Sequence, residues 1–264
     1  MAHITQPEAE VLLEEEISVL DHGFVRLVDY MGGDDRIVQS ARVSYGAGTK
    51  TVREDKALIN YLMRNQHTSP FEQVVLTFHI KAPIFIARQW VRHRTARMNE
   101  VSGRYSVLPH ECYLPIEDDI RFQSKTNRQG SSDEAVPDEL KKEAVRRLRL
   151  GQLFAFDDYH HLLDQDIALE LARINLPLST YTEFYWQIDL NNLFHFLQLR
   201  LHSHAQKEIR VYAEVLANMV RAVAPVAYEA FEEYVLHAVR FSASEIKLIK
   251  EDQYKILELI ESKT

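Results

Sequence analysis

The sequence predicts an α+β protein in which a small mixed or antiparallel sheet packs with many helices. Residues 73–81 (QVVLTFHIK) set Val74, Leu76, Phe78 and Ile80 on one face at period two, the signature of a strand with one buried side. From residue 138 onward helical spacing dominates, interrupted by one Thr- and aromatic-rich stretch at 178–188. Neither G-x-G-x-x-G nor G-x-x-x-x-G-K-[ST] occurs, so the parallel α/β folds built around those phosphate loops lack their signature.

In chain order, EISVL and FVRLVDY within 16–31 read as two strands around the turn Asp21-His22-Gly23. Residues 34–44 read as a helix with acids in its first turn, where the macrodipole favours them. A second helix over 54–66 repeats apolar pairs at Ala57–Leu58 and Tyr61–Leu62, and His67-Thr68-Ser69-Pro70 breaks it. After the 73–81 strand, Pro83 suits the first turn of a helix over 83–96, followed by a loop from Asn99 to Ser106. Polar, aromatic-free residues 124–137 read as a mobile surface insertion. Helices are expected at about 138–164 and 166–175, then at 190–202, 204–223, 226–240 and 243–261. Ser242 to Glu245 forms a capping box for the last of these. The whole, residues 1–264, is expected to form a single domain, with 241–264 a C-terminal helical extension.

The 264 residues are 46% hydrophobic and 27% charged, enough to bury a sizeable core. A net charge of −8 argues against a general nucleic-acid binder. No apolar run approaches the roughly 20 residues that span a bilayer, and the acidic first 16 residues lack a signal core, so a cytoplasmic location is expected. Cys112 is the one cysteine, which excludes an intrachain disulfide and a cysteine-based zinc site. As a lone thiol it reads as a small buried hydrophobe rather than a nucleophile.

Against this acidic background, 73–99 contains no Asp or Glu but carries Lys81, Arg88, Arg92, Arg94, Arg97, His79 and His93. On the expected helix Arg88 and Arg92 are i, i+4 neighbours, a repulsive spacing, and Gln89 shares a face with Arg92. Arginine forks match phosphate oxygens, and Ser102 with the amides near Gly103 could complete a phosphate nest. A solvated basic face, or arginines paired with distant acids, would explain the charge equally well. In a second cluster, Arg173 ends a helix, and Asp189, Asn191 and Asn192 precede one holding His195, Arg200, His202 and His204. Arg200 and His204 fall on one face at i, i+4, whereas His202 and His204 point apart, which disfavours a metal site. Arg200 lies within FHFLQLRL, and a charge in so apolar a setting needs a partner.

The spacing Arg92-His93-Arg94, seven residues, then Ser102 is similar to the RHR motif of flavin-dependent thymidylate synthases. The blocks QWVRHR, NEVSGRYS, ARINLPLSTYTEFYW and FLQLRLHSHAQKEIRVYA follow in order, and the resemblance covers about residues 17–240. It implies an FAD enzyme that methylates dUMP to dTMP. Methylenetetrahydrofolate would be the one-carbon donor, and the reduced flavin would be regenerated by NADPH. FAD contacts are implied at Ser69, Arg92, His93, Arg94, Glu100, Asp189, Leu190, Asn191 and His195. This chain has His195 where some members have Asn. Gln89, Trp90, Val91, Arg92, Glu100, Val101, Ser102, Gly103, Arg104, Arg173 and Arg200 are implied to form the dUMP site. Arg200 is implied as the catalytic residue that helps ionise the uracil ring. No metal is implied. Members are homotetramers with shared active sites, so the 88–104 and 189–200 blocks need not meet within one chain. A salt-dependent RNA binder, a colourless helical scaffold and a different flavoenzyme are the competing readings.

Overall fold

The computed structural model describes residues 5–44, 52–125 and 130–251, together with Ile256 and Ile260. Among them, five strands form one antiparallel sheet: β1 (Glu16–Val19), β2 (Gly23–Met31), β3 (Val75–Pro83), β4 (Arg97–Glu100) and β5 (Tyr181–Asp189). The spatial order is β1-β2-β3-β5-β4. The helices are α1 (Pro7–Glu10), α2 (Asp34–Ala41), α3 (Val52–Arg64), α4 (Ile84–Trp90), α5 (Asp138–Asp164), α6 (Leu169–Ala172), α7 (Leu190–Arg200), α8 (Lys207–Val223), α9 (Pro225–Phe231) and α10 (Ala243–Glu251).

The period-two pattern of β3 does what it predicts, since Val74, Leu76, Phe78 and Ile80 are all fully buried. Their neighbours on β5 are buried too, in the register Leu76 to Ile188, Phe78 to Trp186 and Ile80 to Phe184. Trp90 at the end of α4 closes this layer, its ring centroid 5.5 Å from Phe184, 5.3 Å from Trp186, 4.9 Å from Phe196 and 5.8 Å from Tyr212. Burying a large apolar side chain contributes about 1.5–3 kcal/mol. Trp90 therefore fixes where α4 ends and where the following turn emerges.

Several expected boundaries move. The helix expected over 83–96 spans only Ile84–Trp90, and Pro83 closes β3 instead. Residues 97–100, which lie past the helix expected to end at 96 and enter the loop expected from Asn99, form β4 on the free edge of β5, with Arg97 opposite Gln187 and Glu100 opposite Phe184. That pairing joins residues more than 80 positions apart, which local periodicity does not reveal. Arg88 and Arg92 are therefore not neighbours on one helix face, and neither are Gln89 and Arg92. The 166–175 helix shrinks to α6 and a 3₁₀ turn at Arg173–Asn175, after Asp166 takes φ 58°. The 178–188 strand starts later, at Tyr181. The 226–240 helix becomes α9 followed by a π turn at Glu232–Leu236. Helix α7 stops at Arg200, which leaves His202 and His204 in the turn before α8 and off any shared helix face with Arg200. The capping box forms, with Ser242 N donating to Glu245 at 2.7 Å and Glu245 N donating to Ser242 at 3.3 Å. Within 124–137, Ser124 N donates to Gly130 O at 2.9 Å, Val136 is buried, and residues 126–129 lie outside the described residues.

Candidate active site

Strand β5 runs directly into α7, and Asp189 makes the junction. Its carboxylate accepts from Asn192 N at 3.0 Å and from Asn192 Nδ2 at 2.7 Å, satisfying a donor of the first turn. On the other side, α4 ends with Val91 N donating to Ala87 O and His93 N to Trp90 O, both at 3.0 Å. The turn it releases, Arg92 to Thr95, faces Asn192, His195, Leu199 and Arg200 of α7 across a pocket of about 290 Å³. Asn192, His195 and Leu199 recur at i, i+3, i+7, one helix face. That spacing is the signal in the sequence that would have added Asn192 and Leu199 to the site; Thr95 carries no such signal.

Arg200 closes the pocket. Its Nε donates to His93 Nε2 at 3.2 Å and its Nη2 to the Gln89 carbonyl at 3.4 Å. Burial holds Arg200 below the usual arginine range, yet a guanidinium stays charged. Burial, then the charge of Arg200, then that of His195, push His93 down to about 4. His93 is thus neutral near pH 7 and can accept. Among the described residues no carboxylate comes within ion-pair distance of Arg88, Arg92, Arg94, Arg173 or Arg200. Pairing with distant acids does account for part of the basic stretch, since Lys81 meets Glu111 at 2.7 Å and His79 meets Glu183 at 3.1 Å.

A second pocket of about 220 Å³ adjoins the first and shares His195 with it. Asn191 and Gln198 line it from α7, Gln66 to Thr68 from the turn before Ser69, and Arg240 from the far side. Of the residues expected at a flavin, Arg92, His93, Arg94, Asn191 and His195 line these two pockets; Ser69 lines neither, Glu100 lies elsewhere, and the remaining two are engaged in the fold. Leu190 is fully buried and its N–H donates to Val74 O at 2.8 Å, so neither group is free for a ligand. The Asp189 carboxylate is spent on its helix cap.

The expected dUMP residues divide. Arg92 lines the pocket with Arg200 and the Gln89 carbonyl accepts from it, Val91 is not among the lining residues, and the Trp90 side chain is fully buried and leaves only its main chain for contact. Glu100 to Arg104 and Arg173 gather elsewhere. A Cβ on Gly103 would lie 2.9 Å from Leu108 Cδ1 and 3.2 Å from Arg173 Cδ, so the bare glycine lets Arg173 lie against this loop. Ser102 Oγ accepts from Arg104 N at 3.3 Å, Arg104 meets Glu170 at 3.5 Å, and Glu100 accepts from Thr182 at 2.7 Å. Val101 is exposed, with its N–H on Glu183 O at 2.9 Å. Glu100 lies opposite Phe184, five residues along β5 from Asp189, or roughly 17 Å at strand rise. The expected site residues of one chain thus fall into two groups toward opposite ends of β5.

Cys112 is buried, its thiol pushed up by burial and 3.8 Å from Thr180 Oγ1, so it is poorly placed as a nucleophile. Among the described residues no three His, Cys, Asp or Glu side chains cluster as a metal site would need, and no helix is long and apolar enough to cross a membrane.

The fold is an antiparallel α+β one, with arginines that lack a carboxylate partner among the described residues gathered around a pocket. The family model described as thymidylate synthase complementing protein matches residues 26–226, and the chain belongs to that family. It is 62% identical over 238 residues to a flavin-dependent thymidylate synthase of Treponema denticola, covering 90% of each chain. A flavin-dependent thymidylate synthase of Thermus thermophilus is 57% identical over 234 residues, covering 89% of this chain and 84% of that one. In structure the chain is similar to a UMP/dUMP methylase from Streptomyces cacaoi bound with 5-Br dUMP. The TM-score is 0.74 at 35% identity, over 83% of this chain and 99% of that one. The resemblance read from the Arg92-His93-Arg94 motif is thereby borne out.

Proposed function

We propose that the protein is a flavin-dependent thymidylate synthase that methylates dUMP to dTMP. FAD would be its redox cofactor, and methylenetetrahydrofolate and NADPH its co-substrates. The observation that carries this is the convergence of Arg92, Arg94 and Arg200, none with a carboxylate partner among the described residues, on one pocket. Uncompensated cations in a partly buried site favour anionic ligands, and guanidinium forks suit phosphate. This donor set fits the diphosphate of FAD, which Arg92 and Arg94 would hold. When bound, the flavin supplies the reducing hydride. Arg200 keeps a fixed cation beside the nucleotide ring and favours its ionised, more nucleophilic form. Ser102, Gly103, Arg104 and Arg173 would hold the nucleotide phosphate. Because Cys112 is buried, activation of the ring falls to this electrostatic route, and Cys112→Ser should keep most turnover.

The separation of the two groups supports a homotetramer in which one chain's Gly103–Arg173 region completes the Arg200 pocket of another. The exposed apolar side chains Phe154, Leu171 and Ile174 suit such contacts. The chain would act as one domain, in the cytoplasm. The test is direct: titrate FAD and dUMP by absorbance, then follow dTMP formation with methylenetetrahydrofolate and NADPH. A folded oligomer that binds no flavin, or makes no dTMP when loaded, refutes the reading.

A further inference from the structure

We propose that His93 is a positioning residue whose uncharged imidazole pins the Arg200 guanidinium, so that the whole cationic charge stays available to the nucleotide ring. This rests on the reading of Arg200 as the residue facing that ring.

The geometry is specific. Arg200 Nε donates to His93 Nε2 at 3.2 Å, which places the His93 proton on Nδ1. The second anchor is the Gln89 carbonyl, 3.4 Å from Nη2, and Gln89 is itself tied to Gln206 at 2.6 Å. The His93 ring packs edge-on against the fully buried Phe196, centroids 4.7 Å apart, so the core sets its orientation. Among the described residues Arg200 Nη1 makes no hydrogen bond, which leaves it for a ligand in the pocket Arg200 lines.

Both anchors are neutral, and this has a consequence. A carboxylate would hold a guanidinium more strongly but would also cancel its field at the pocket. Arg26 illustrates that arrangement in the same molecule: it meets His79 Nδ1 at 2.6 Å and also Glu14 at 3.2 Å. At Arg200 the histidine is kept and the acid is absent. The charged and titratable groups facing His93 are Arg200 and His195, with Arg92 and Arg94 adjacent in the chain. All of them are basic, so the imidazole remains an uncharged acceptor.

The test compares His93→Gln, which keeps an uncharged acceptor, with His93→Leu, which keeps none. In flavin-loaded protein, the pH at which bound 5-Br dUMP loses its imide proton is read by ultraviolet difference spectra. His93→Leu should raise that midpoint by about one pH unit, a tenfold loss of preference for the ionised ring, while His93→Gln stays within about half a unit of the parent. The kcat of His93→Leu should fall about tenfold with a smaller change in KM for dUMP, the pattern of an interaction strengthened in the transition state. A crystal structure of nucleotide-free His93→Leu should show the Arg200 guanidinium displaced. If it stays in place, or if His93→Gln is as impaired as His93→Leu, the positioning role is overturned. If Arg200→Ala, which removes the charge, leaves the parent's ring ionisation unchanged, it is the ring-facing reading of Arg200 that fails, and the inference falls with it.

Discussion

Two Arg–His pairs grow from the same acid-free stretch and end in opposite electrostatic states. On the open face of the sheet, Arg26 and His79 are joined by Glu14, Glu16 and Glu183, and Lys81 takes Glu111. Tyr185 stacks flat on His79 at 4.6 Å. In the pocket, Arg200 and His93 are joined by no acid among the described residues, and Arg92 and Arg94 stand beside them without one. The first cluster is neutralised and holds strands in register; the second keeps its charge. Unpaired charge in a partly buried site is costly to a fold, and its retention at Arg200 is what supports the proposal that a ligand supplies the missing anion there.

The largest effect should come from removing the pocket's central cation. Arg200→Ala is expected to lower dUMP-dependent reoxidation of the reduced flavin by about a hundredfold or more, in line with the 2–5 kcal/mol lost when one partner of a desolvated charge pair is deleted. Arg200→Lys, which keeps charge without the planar fork, should lose less. FAD content should change little in either, as read by titration. Parent-like reoxidation in Arg200→Ala would reduce Arg200 to a structural cation and erase the contrast.

The contrast can also be broken by importing an acid. Thr95 is exposed beside Arg92 and Arg94. Thr95→Asp should weaken FAD binding about tenfold, the scale of one close charge interaction in a partly solvated site, whereas the uncharged Thr95→Asn should not. Equal affinities in the two variants would show that net charge is not what the pocket uses.

His93 adds a pH signature. The fold holds it near 4, while an unfolded chain takes up the proton near the ordinary value of 6.5. Stability is therefore fully present above about 6.5 and is lost as pH falls toward about 4. Denaturant unfolding of the parent and of His93→Gln from pH 7 to 4.5 isolates this contribution, since the variant should lack it. Parallel curves would mean that His93 is not held neutral.

The smallest effect belongs to the neutralised cluster. Glu183 is 43% exposed, so Glu183→Gln should cost about 1 kcal/mol or less in stability and leave turnover unchanged. A large loss of activity there would show that the sheet face also serves the reaction.

The strands and the long helix were legible in the sequence because their signals are local. Period two in β3 reports one buried face, and α5 ends at the residues its helical spacing predicts, Asp138 and Asp164. The motif Arg92-His93-Arg94 to Ser102 was legible through its resemblance to a known family, a resemblance carried by the blocks that follow it in order as well. Local pattern failed where partners are remote. Strand β4 forms only because the edge of β5, over 80 residues later, offers it hydrogen bonds, and without that edge nothing in 97–100 marks a strand. Charge pairing failed in the same way: Lys81 and Arg92 look alike in sequence, and only the arrival of Glu111 beside one of them separates a paired cation from an unpaired one. The sequence by itself thus determined which residues bear charge and which faces are apolar, because both follow from residue identity at short spacing. Tertiary structure alone decided which charges are cancelled, because Coulomb energy depends on distance in space and on burial, and neither is written in the order of the chain.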